Sequence, residues 1–189
     1  NLNGSVAFTQ RDLLQFTAAG KVEQADVAVN GQWGIPEKSS LAVKTKKLDL
    51  VALGLTEADD PIQLTKGLLD EATVELSQDK NGTARLKTLS GHFSALETAG
   101  AVVLTQGAGQ FAKQDNAMVF TDTRAFYKGQ AVTAAGQVLT GADGAKTLDF
   151  AVQMPSGDPT AVLNGLQAAG PLVVQATLTG SVLSPVLAG

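Results

Sequence analysis

Apolar and polar residues alternate along much of this chain. In residues 25–33 the odd-numbered positions are apolar or small, whereas the even-numbered ones are mostly polar. Residues 71–76, 147–154 and 172–178 repeat the alternation. Because successive side chains of a strand point to opposite faces, the pattern predicts strands with one apolar face and one wetted face.

Turn residues separate these alternating runs. Residues 80–83 contain Asn81-Gly82, and residues 142–145 contain Asp143-Gly144, which join Gln130–Thr140 to residues 146–154. Asn-Gly and Asp-Gly pairs favour hairpins because both residues tolerate positive φ. Further glycines are expected near strand ends or bulges, at positions 100, 107, 109, 129 and 136. With a usual strand length of about 5–10 residues, the chain is predicted to form an antiparallel meander of about a dozen strands.

Two segments break the alternation. In residues 50–69, Asp59-Asp60-Pro61 precedes a short apolar segment. In residues 156–166, Asp158 can cap a helix that has Pro159 at its first position. Both segments predict a short helical turn or an irregular crossover between blocks of strands. Their similarity also suggests an internal repeat, with copies at residues 44–77 and 146–182.

A sheet with one apolar face must cover that face or offer it to a ligand. It could pack on a second sheet, as in a sandwich, or leave a groove. Aromatic residues are only 5% of the chain, and small aliphatic side chains dominate the predicted inward positions. Such a surface suits acyl chains, which need burial but no hydrogen bonds. The predicted groove lining consists of Val27, Val29, Val74, Leu76, Leu148, Phe150, Val152, Val174 and Leu178.

Composition narrows the possible partners. Hydrophobic residues make up 44% of the 189 residues, which is too apolar for a disordered chain. The net charge of −4 and the scattered basic residues argue against nucleic acid, since phosphate binding needs clustered Lys and Arg. The chain has no cysteine and begins at Asn1 without a leader-like segment. It is therefore expected to be one elongated β segment, residues 1–189, of a longer protein.

The sequence offers little material for catalysis. His92 is the one histidine, so no second His or Cys can complete a metal cluster with it. The pair Gly107 and Gly109 lacks the third glycine of a dinucleotide-binding loop. Glu71 and Glu75 are expected on the wetted face of a strand, where carboxylates do no acid–base work. We therefore expect a non-enzymatic protein without cofactor or metal.

In the C-terminal part of the chain, residues 147–154 alternate as a strand, and Asp158, Val162 and Leu166 follow near a turn. Residues 179–185 then carry the order Thr-Gly…Ser-Pro. This arrangement resembles the recurrent unit of the AsmA-like and TamB family of diderm bacteria, in which an alternating strand leads to a turn with Asp and spaced Leu residues and a second strand ends in a Thr-Gly…Ser-Pro signature. The leucine spacing after Asp158 is offset from that of the family unit. The first 145 residues resemble the family only in their general sequence pattern and share no specific motif with it.

The resemblance implies a long, curved, taco-shaped antiparallel sheet with an apolar concave face. It also implies a periplasmic segment of an inner-membrane-anchored protein that reaches an outer-membrane partner of the Omp85 class. The implied role is to carry phospholipid, through its acyl chains, or to support outer-membrane protein assembly. The alternative hypothesis is an extracellular β-sandwich or β-solenoid with a structural or adhesive role. The open edges of a groove-forming sheet would also favour an edge-to-edge homodimer of this segment.

Overall fold

The computed structural model describes residues 2–56, 60–162 and 170–189. These residues form twelve strands. The strands are β1 (Leu2–Gln10), β2 (Leu13–Val22), β3 (Ala25–Trp33), β4 (Ser40–Asp49), β5 (Ile62–Gln78), β6 (Ala84–Gly100), β7 (Leu104–Gln114), β8 (Ala117–Tyr127), β9 (Gln130–Thr140), β10 (Lys146–Gly157), β11 (Leu172–Ser181) and β12 (Ser184–Ala188). A 3₁₀ helix (Val51–Leu53) and a helix α1 (Pro159–Val162) complete the described elements.

The strands belong to one sheet in which spatial order follows chain order, so that β1 and β12 form its two edges. Every strand pair with a described register is antiparallel. The prediction of an all-β, open antiparallel sheet of about a dozen strands is confirmed. The concave apolar face and the internal repeat stay predictions.

The first predicted break differs from the structure in its second half. A 3₁₀ helix follows Leu50, as expected for a short helical turn. The apolar residues after Pro61 belong instead to β5, which runs from Ile62 to Gln78. The prediction of a helical or irregular segment was therefore wrong from Ile62 onwards, because neighbouring strands provide the pairing that a short apolar run needs. Asp59 lies outside the described residues.

The second predicted break agrees with the structure as far as it is described. Helix α1 begins at Pro159, and Asp158 Oδ1 accepts hydrogen bonds from the Thr160 N–H (2.9 Å) and from Thr160 Oγ1 (2.6 Å). Asp158 therefore caps the helix and Pro159 occupies its first position, as predicted. Leu166, which the family resemblance also uses, lies outside the described residues.

Both predicted glycine turns connect consecutive strands, and they share one hydrogen-bond pattern. In the β5–β6 loop the Gly82 N–H donates to the Asp79 carbonyl (2.9 Å), and in the β9–β10 loop the Gly144 N–H donates to the Gly141 carbonyl (3.0 Å). The two glycines have φ of 80° and 82°. Glycine adopts this left-handed conformation without the steric cost that a Cβ atom brings.

Several strands contain a non-glycine residue in the left-handed region. These are Lys47 in β4, Ala95 in β6, Gln106 in β7 and Asp122 in β8, with φ of 51–58°. The β7 and β8 residues coincide with register shifts, between Thr105 and Ala108 and between Phe120 and Thr123. They therefore mark β-bulges, which bend a strand and increase its twist. The predicted bulges near Gly107 and Gly109 are confirmed.

The chain divides into two units by its internal contacts. The first unit comprises Asn1–Asp49 and Leu69–His92, and the second comprises Leu50–Leu68 and Phe93–Gly189. Leu13, Ala25, Leu69 and Ala72 are the buried apolar residues of the first unit. Leu50, Phe93, Ala117, Ala125 and Met154 are those of the second.

Burial is shallow in both units. No described side chain is less than 2% exposed. Most apolar side chains of the described residues are half-buried or exposed in both units.

Candidate functional site

In the second unit, β10 carries three of the predicted groove residues on one face. Leu148, Phe150 and Val152 are half-buried, whereas Asp149 and Ala151 between them are exposed. The period of two in sequence therefore matches a period of two in burial. This is the arrangement expected of a strand with one apolar face.

The neighbouring strand β11 extends the same face. Leu178 lies opposite Phe150, and Val174 lies opposite the buried Met154. Residues directly opposite each other on antiparallel strands share a face and contact one another. Leu187 of β12, opposite Leu178, extends the face to the sheet edge and is 63% exposed. Five predicted groove residues of the second unit thus form one continuous apolar surface.

Strand β9 continues this surface on the other side of β10. Val138 lies opposite Leu148, Gly136 opposite Phe150, and Ala134 opposite Val152. We call the half-buried face of β9, β10 and β11 the aliphatic face. The paired residues named above are apolar, while the Gln137 Nε2 and Asp149 Oδ2 atoms, 3.3 Å apart, lie on the opposite face. Polar pairing is thereby separated from the apolar surface.

A phenylalanine cluster adjoins the aliphatic face. The Phe120 ring lies at its centre, with ring centroids 6.5 Å from Phe93, 6.5 Å from Phe111 and 5.8 Å from Phe150. The Phe93 ring meets it edge-on at 72°, and the other two rings are tilted by 40° and 42°. Centroid distances in this range are typical of favourable aromatic pairs.

The sequence prediction included Phe150 but missed the other three rings of the cluster. Around Phe120 the sequence Met118-Val119-Phe120 is apolar at three consecutive positions, so alternation does not distinguish its two faces. Phe111 is preceded by Gln110 and followed by Ala112, so apolar and polar residues do not alternate clearly around it either. The cluster depends on strand register, which the available sequence pattern does not specify.

Gly136 allows the cluster to reach the aliphatic face. It pairs with Phe120 on one side and with Phe150 on the other. A Cβ atom at this position would lie 2.5 Å from Phe150 Cα and 2.8 Å from Phe150 Cγ, and it would also meet the Asp149 carbonyl oxygen. The absent side chain therefore leaves the space in which the two rings meet. Gly136 lies inside β9, beside the β8 bulge, and not at a strand end.

In the first unit, Val27 and Val29 lie on the half-buried face of β3. Val29 is opposite Ala18 of β2 and Val43 of β4, and Val27 is opposite Thr45 of β4. The Thr45 Oγ1 atom is buried without a hydrogen-bond partner. Among these paired residues, the Thr45 hydroxyl is the one polar side-chain group.

The same face extends to the sheet edge at β1. Val6 lies opposite Phe16, and Phe8 lies opposite Leu14. Val6 is 64% and Phe8 is 79% exposed. Both side chains thus remain available to an apolar ligand or partner.

Val74 and Leu76 also belong to the first unit, where both are half-buried on β5. Nearby ion pairs are exposed, as between Lys46 and Glu71 (3.7 Å). Glu75 accepts a hydrogen bond from Thr88 Oγ1 at 3.1 Å. The two glutamates considered as candidate acids thus take part in ordinary contacts between strands. The predicted groove residues therefore occur in both units.

The first unit also has a polar depression of about 660 Å³ beside the β5–β6 loop. Its lining residues come from the loop before β4, the end of β5, the β5–β6 loop and the start of β6: Glu37, Ser77, Gln78, Asp79, Lys80, Asn81, Arg85 and Lys87. Backbone hydrogen bonds fix two of its walls, since the Glu37 N–H donates to the Gln78 carbonyl (3.2 Å) and the Gln78 N–H donates to the Ser39 carbonyl (3.4 Å).

Asp79 organises the loop at this depression. Its Oδ1 atom accepts hydrogen bonds from the N–H groups of Thr83 (3.0 Å) and Asn81 (2.9 Å), and its Oδ2 atom accepts one from Arg85 Nε (3.0 Å). The Thr83 N–H makes the largest contribution to a pKa of Asp79 that lies below its ordinary value of 3.8, and Arg85 and Asn81 lower the pKa further. Each of these donors stabilises the carboxylate over the protonated acid.

Other residues with candidate chemistry have ordinary positions. His92 is exposed on β6. Trp33 is half-buried at the end of β3, opposite Leu14. Within the described ranges, no group of three or more His, Cys, Asp or Glu residues could hold a metal ion, and no helix is long and apolar enough to cross a membrane.

The comparisons with known proteins identify no relative. No family model matches the chain, and neither a curated protein nor a solved structure matches it. The similarity to the AsmA-like and TamB family therefore stays a resemblance, based on residues 148–189.

Proposed function

We propose that this protein binds lipid acyl chains on its apolar sheet faces and has no catalytic role. The observation that carries the proposal is the aliphatic face, where apolar side chains of β9, β10 and β11 are half-buried and not fully buried. An acyl chain gains about 0.8 kcal/mol for each methylene group that it buries. A face of this kind provides burial without requiring hydrogen bonds from the ligand.

The strand arrangement favours this proposal over a structural or adhesive module. A sandwich has two packed sheets, whereas the described strands belong to one. A β-solenoid stacks parallel strands, whereas the described strand pairs are antiparallel. Exposed apolar area is costly in water unless a ligand or partner uses it.

The resemblance to the AsmA-like and TamB family suggests the setting of this activity. We infer a periplasmic protein that guides phospholipid between the inner and outer membranes, or that supports outer-membrane protein assembly, together with an outer-membrane partner of the Omp85 class. Fractionation of a bacterial cell that expresses the natural protein would test this setting. Recovery in the cytosolic fraction would contradict it.

Native mass spectrometry with lipid extraction tests the binding activity directly. The chain, purified gently from a bacterial host, should carry phospholipid. The double substitution Val152→Glu and Val174→Glu puts two charges on the aliphatic face and should abolish co-purification while circular dichroism still reports a folded sheet.

Val173→Glu is the matched control, because Val173 is also on β11 but is 61% exposed on the opposite face. It should retain the lipid. A wild-type protein that carries no lipid and binds no apolar dye would contradict the proposal. Unfolding of the double variant would also contradict it, because it would identify the face as a packed core.

A further inference from the structure

The Asn81-Gly82 pair of the β5–β6 turn combines two residues that can react with each other. The backbone nitrogen of the glycine can attack the side-chain amide carbon of the asparagine, because glycine has no Cβ atom that shields this nitrogen. In the described part of the chain, Asn-Gly also occurs at Asn3-Gly4 in β1 and at Asn30-Gly31 in β3. The backbone around each pair therefore decides which of them can react.

The Asn81-Gly82 pair lies in a turn with open space around it. Asn81 is exposed, and its side-chain amide makes no hydrogen bond to any of the described residues. The Gly82 N–H donates to the Asp79 carbonyl at 2.9 Å. A Cβ atom placed at Gly82 would meet nothing within 4 Å beyond its chain neighbours. The amide can therefore approach the Gly82 nitrogen once this turn hydrogen bond is released.

The Asn30-Gly31 pair has the same sequence in a crowded environment. It lies in β3 between two neighbouring strands, with Gly31 opposite Phe16 of β2 and Leu41 of β4. A Cβ atom at Gly31 would lie 2.7 Å from Leu41 Cα. Attack on the Asn30 amide requires the peptide group between the two residues to rotate, which breaks hydrogen bonds of the strand ladder. Asn30 should therefore stay intact while β3 is paired.

We propose that Asn81 is a site of spontaneous deamidation in the folded protein. The Gly82 nitrogen loses its proton and bonds to Asn81 Cγ, the Cγ–Nδ2 bond breaks, and the amide nitrogen leaves with a proton as ammonia. Solvent water then opens the cyclic imide. Opening at Cγ gives aspartate, and opening at the main-chain carbonyl gives isoaspartate.

Either product changes the β5–β6 turn. A new carboxylate appears two residues from Asp79, whose own carboxylate accepts from the N–H groups of Asn81 and Thr83. Two like charges at this distance repel each other. Isoaspartate also lengthens the main chain before Gly82 by one carbon, which disturbs the hydrogen bond from the Gly82 N–H to the Asp79 carbonyl. The modified turn should therefore be less stable than the original one.

Site-resolved peptide mass spectrometry of the aged protein tests the proposal. The folded chain is incubated at neutral pH and digested under mildly acidic conditions, and the conversion of amide to acid is followed at both asparagines. Asn81 should convert more than about tenfold faster than Asn30, a ratio that corresponds to about 1.4 kcal/mol for opening β3. In urea, where neither pair has a fixed backbone, the two rates should be similar.

Asn81→Gln is the matched control for the site. It retains an uncharged amide, but the longer side chain must close a larger ring. The gain of an acid at this position should therefore be lost, while the slow conversion of Asn30 stays unchanged. Conversion of the glutamine at the rate of Asn81 would contradict attack by the Gly82 nitrogen.

Asp143→Asn moves the reactive pair into the related β9–β10 turn. There the Gly144 N–H donates to the Gly141 carbonyl (3.0 Å), and Gly144 has a φ of 82°. The new asparagine should convert faster than Asn30. It should convert more slowly than the asparagine of the β5–β6 turn, because the side chain at position 143 accepts a hydrogen bond from the Ala145 N–H (3.0 Å).

Three results would overturn the proposal. Equal rates at Asn81 and Asn30 in the folded protein would show that the strand ladder does not control the reaction. Conversion of Asn81 in urea but not in the folded protein would show that the turn protects it. An asparagine at position 143 that is as slow as Asn30 would show that the shared turn pattern is not the cause.

Discussion

The rings of Phe120 and Phe150 lie 5.8 Å apart, centroid to centroid, although β9 separates their strands. The contact is possible because the β9 residue between them is Gly136, which pairs with both. Two large rings thus meet above a position without a side chain. Gly136 thus connects the phenylalanine cluster to the aliphatic face. We expect the stability of the phenylalanine cluster to depend on this glycine.

Replacement of Gly136 should therefore destabilise the second unit. In Gly136→Ala the new Cβ atom would lie 2.5 Å from Phe150 Cα, so backbone or ring must shift. We expect the free energy of unfolding to fall by about 1–3 kcal/mol, as for other overpacked sites. Urea denaturation measures this. Ala135→Val, at the adjacent exposed position, should change it by less than about 0.5 kcal/mol, and equal losses would argue against the packing explanation.

The Phe120–Phe150 contact should also appear as a coupling energy. In a double-mutant cycle with Phe120→Leu and Phe150→Leu, we expect about 0.5–1.5 kcal/mol of coupling, because tilted aromatic pairs contribute beyond their buried area. A cycle that pairs Phe150→Leu with Phe126→Leu should give almost none, since Phe126 is an exposed ring outside the cluster. Additive losses in the first cycle would show that the rings act independently.

Ala95 offers a stabilising substitution. It is exposed on β6 with φ of 51°, a left-handed conformation that costs an L-residue with a Cβ atom roughly 1–2 kcal/mol. Ala95→Gly should raise the free energy of unfolding by about 0.5–1 kcal/mol, after allowance for the more flexible unfolded chain. Ala135→Gly, at a position without positive φ, should lower it by about the same amount. If both variants lose stability, the left-handed backbone at Ala95 is not strained in solution.

Asp79 should make stability depend on pH. Its pKa is lower in the folded state than the ordinary 3.8, so its contribution is fully present above that value. The contribution is lost as the pH falls through the lowered folded pKa, because protonation removes the acceptor for the Thr83 N–H. Asp79→Asn should therefore melt at a lower temperature than wild type at pH 7.

The difference between Asp79→Asn and wild type should disappear in acid, below the folded pKa. Thermal melts followed by circular dichroism from pH 7 to pH 2 provide the measurement. Asp143→Asn is a useful comparison, because Asp143 Oδ1 accepts from the Ala145 N–H in the related β9–β10 turn and has no arginine partner in the described residues. A melting difference for Asp79→Asn that stays constant with pH would contradict ionisation as its cause.

The edge strand β12 should promote self-association. Ser184–Ala188 contains no charged residue, and Val186 is 55% exposed. Charges on an edge strand are a common protection against pairing with another copy. Val186→Lys should therefore reduce the dimer fraction in sedimentation velocity. Val173→Lys, on the interior strand β11, should not, and an equal effect would point to general hydrophobic association.

Much of the fold could be predicted from local sequence. The alternation predicted in residues 172–178 corresponds to half-buried and exposed positions throughout β11, and that predicted in residues 25–33 does so at residues 27–31 of β3. The turns at Gly82 and Gly144 connect the expected strands because their left-handed residues are set by neighbouring sequence. Asp158 and Pro159 likewise begin α1 as predicted. These features depend on contacts within a few residues, which the sequence states directly.

Only the tertiary structure determined which residues meet across strands. It made Ile62 the first residue of a long strand, and it brought Phe93, Phe111 and Phe120 together around Phe150. The polar depression likewise combines Glu37 with residues of the β5–β6 loop that are far away in sequence. A strand that shifts by one residue presents its other face, so register decides these contacts. The sequence alone therefore determined the strands with clear alternation and the hairpin turns, and the pairing of strands decided which side chains form the candidate sites.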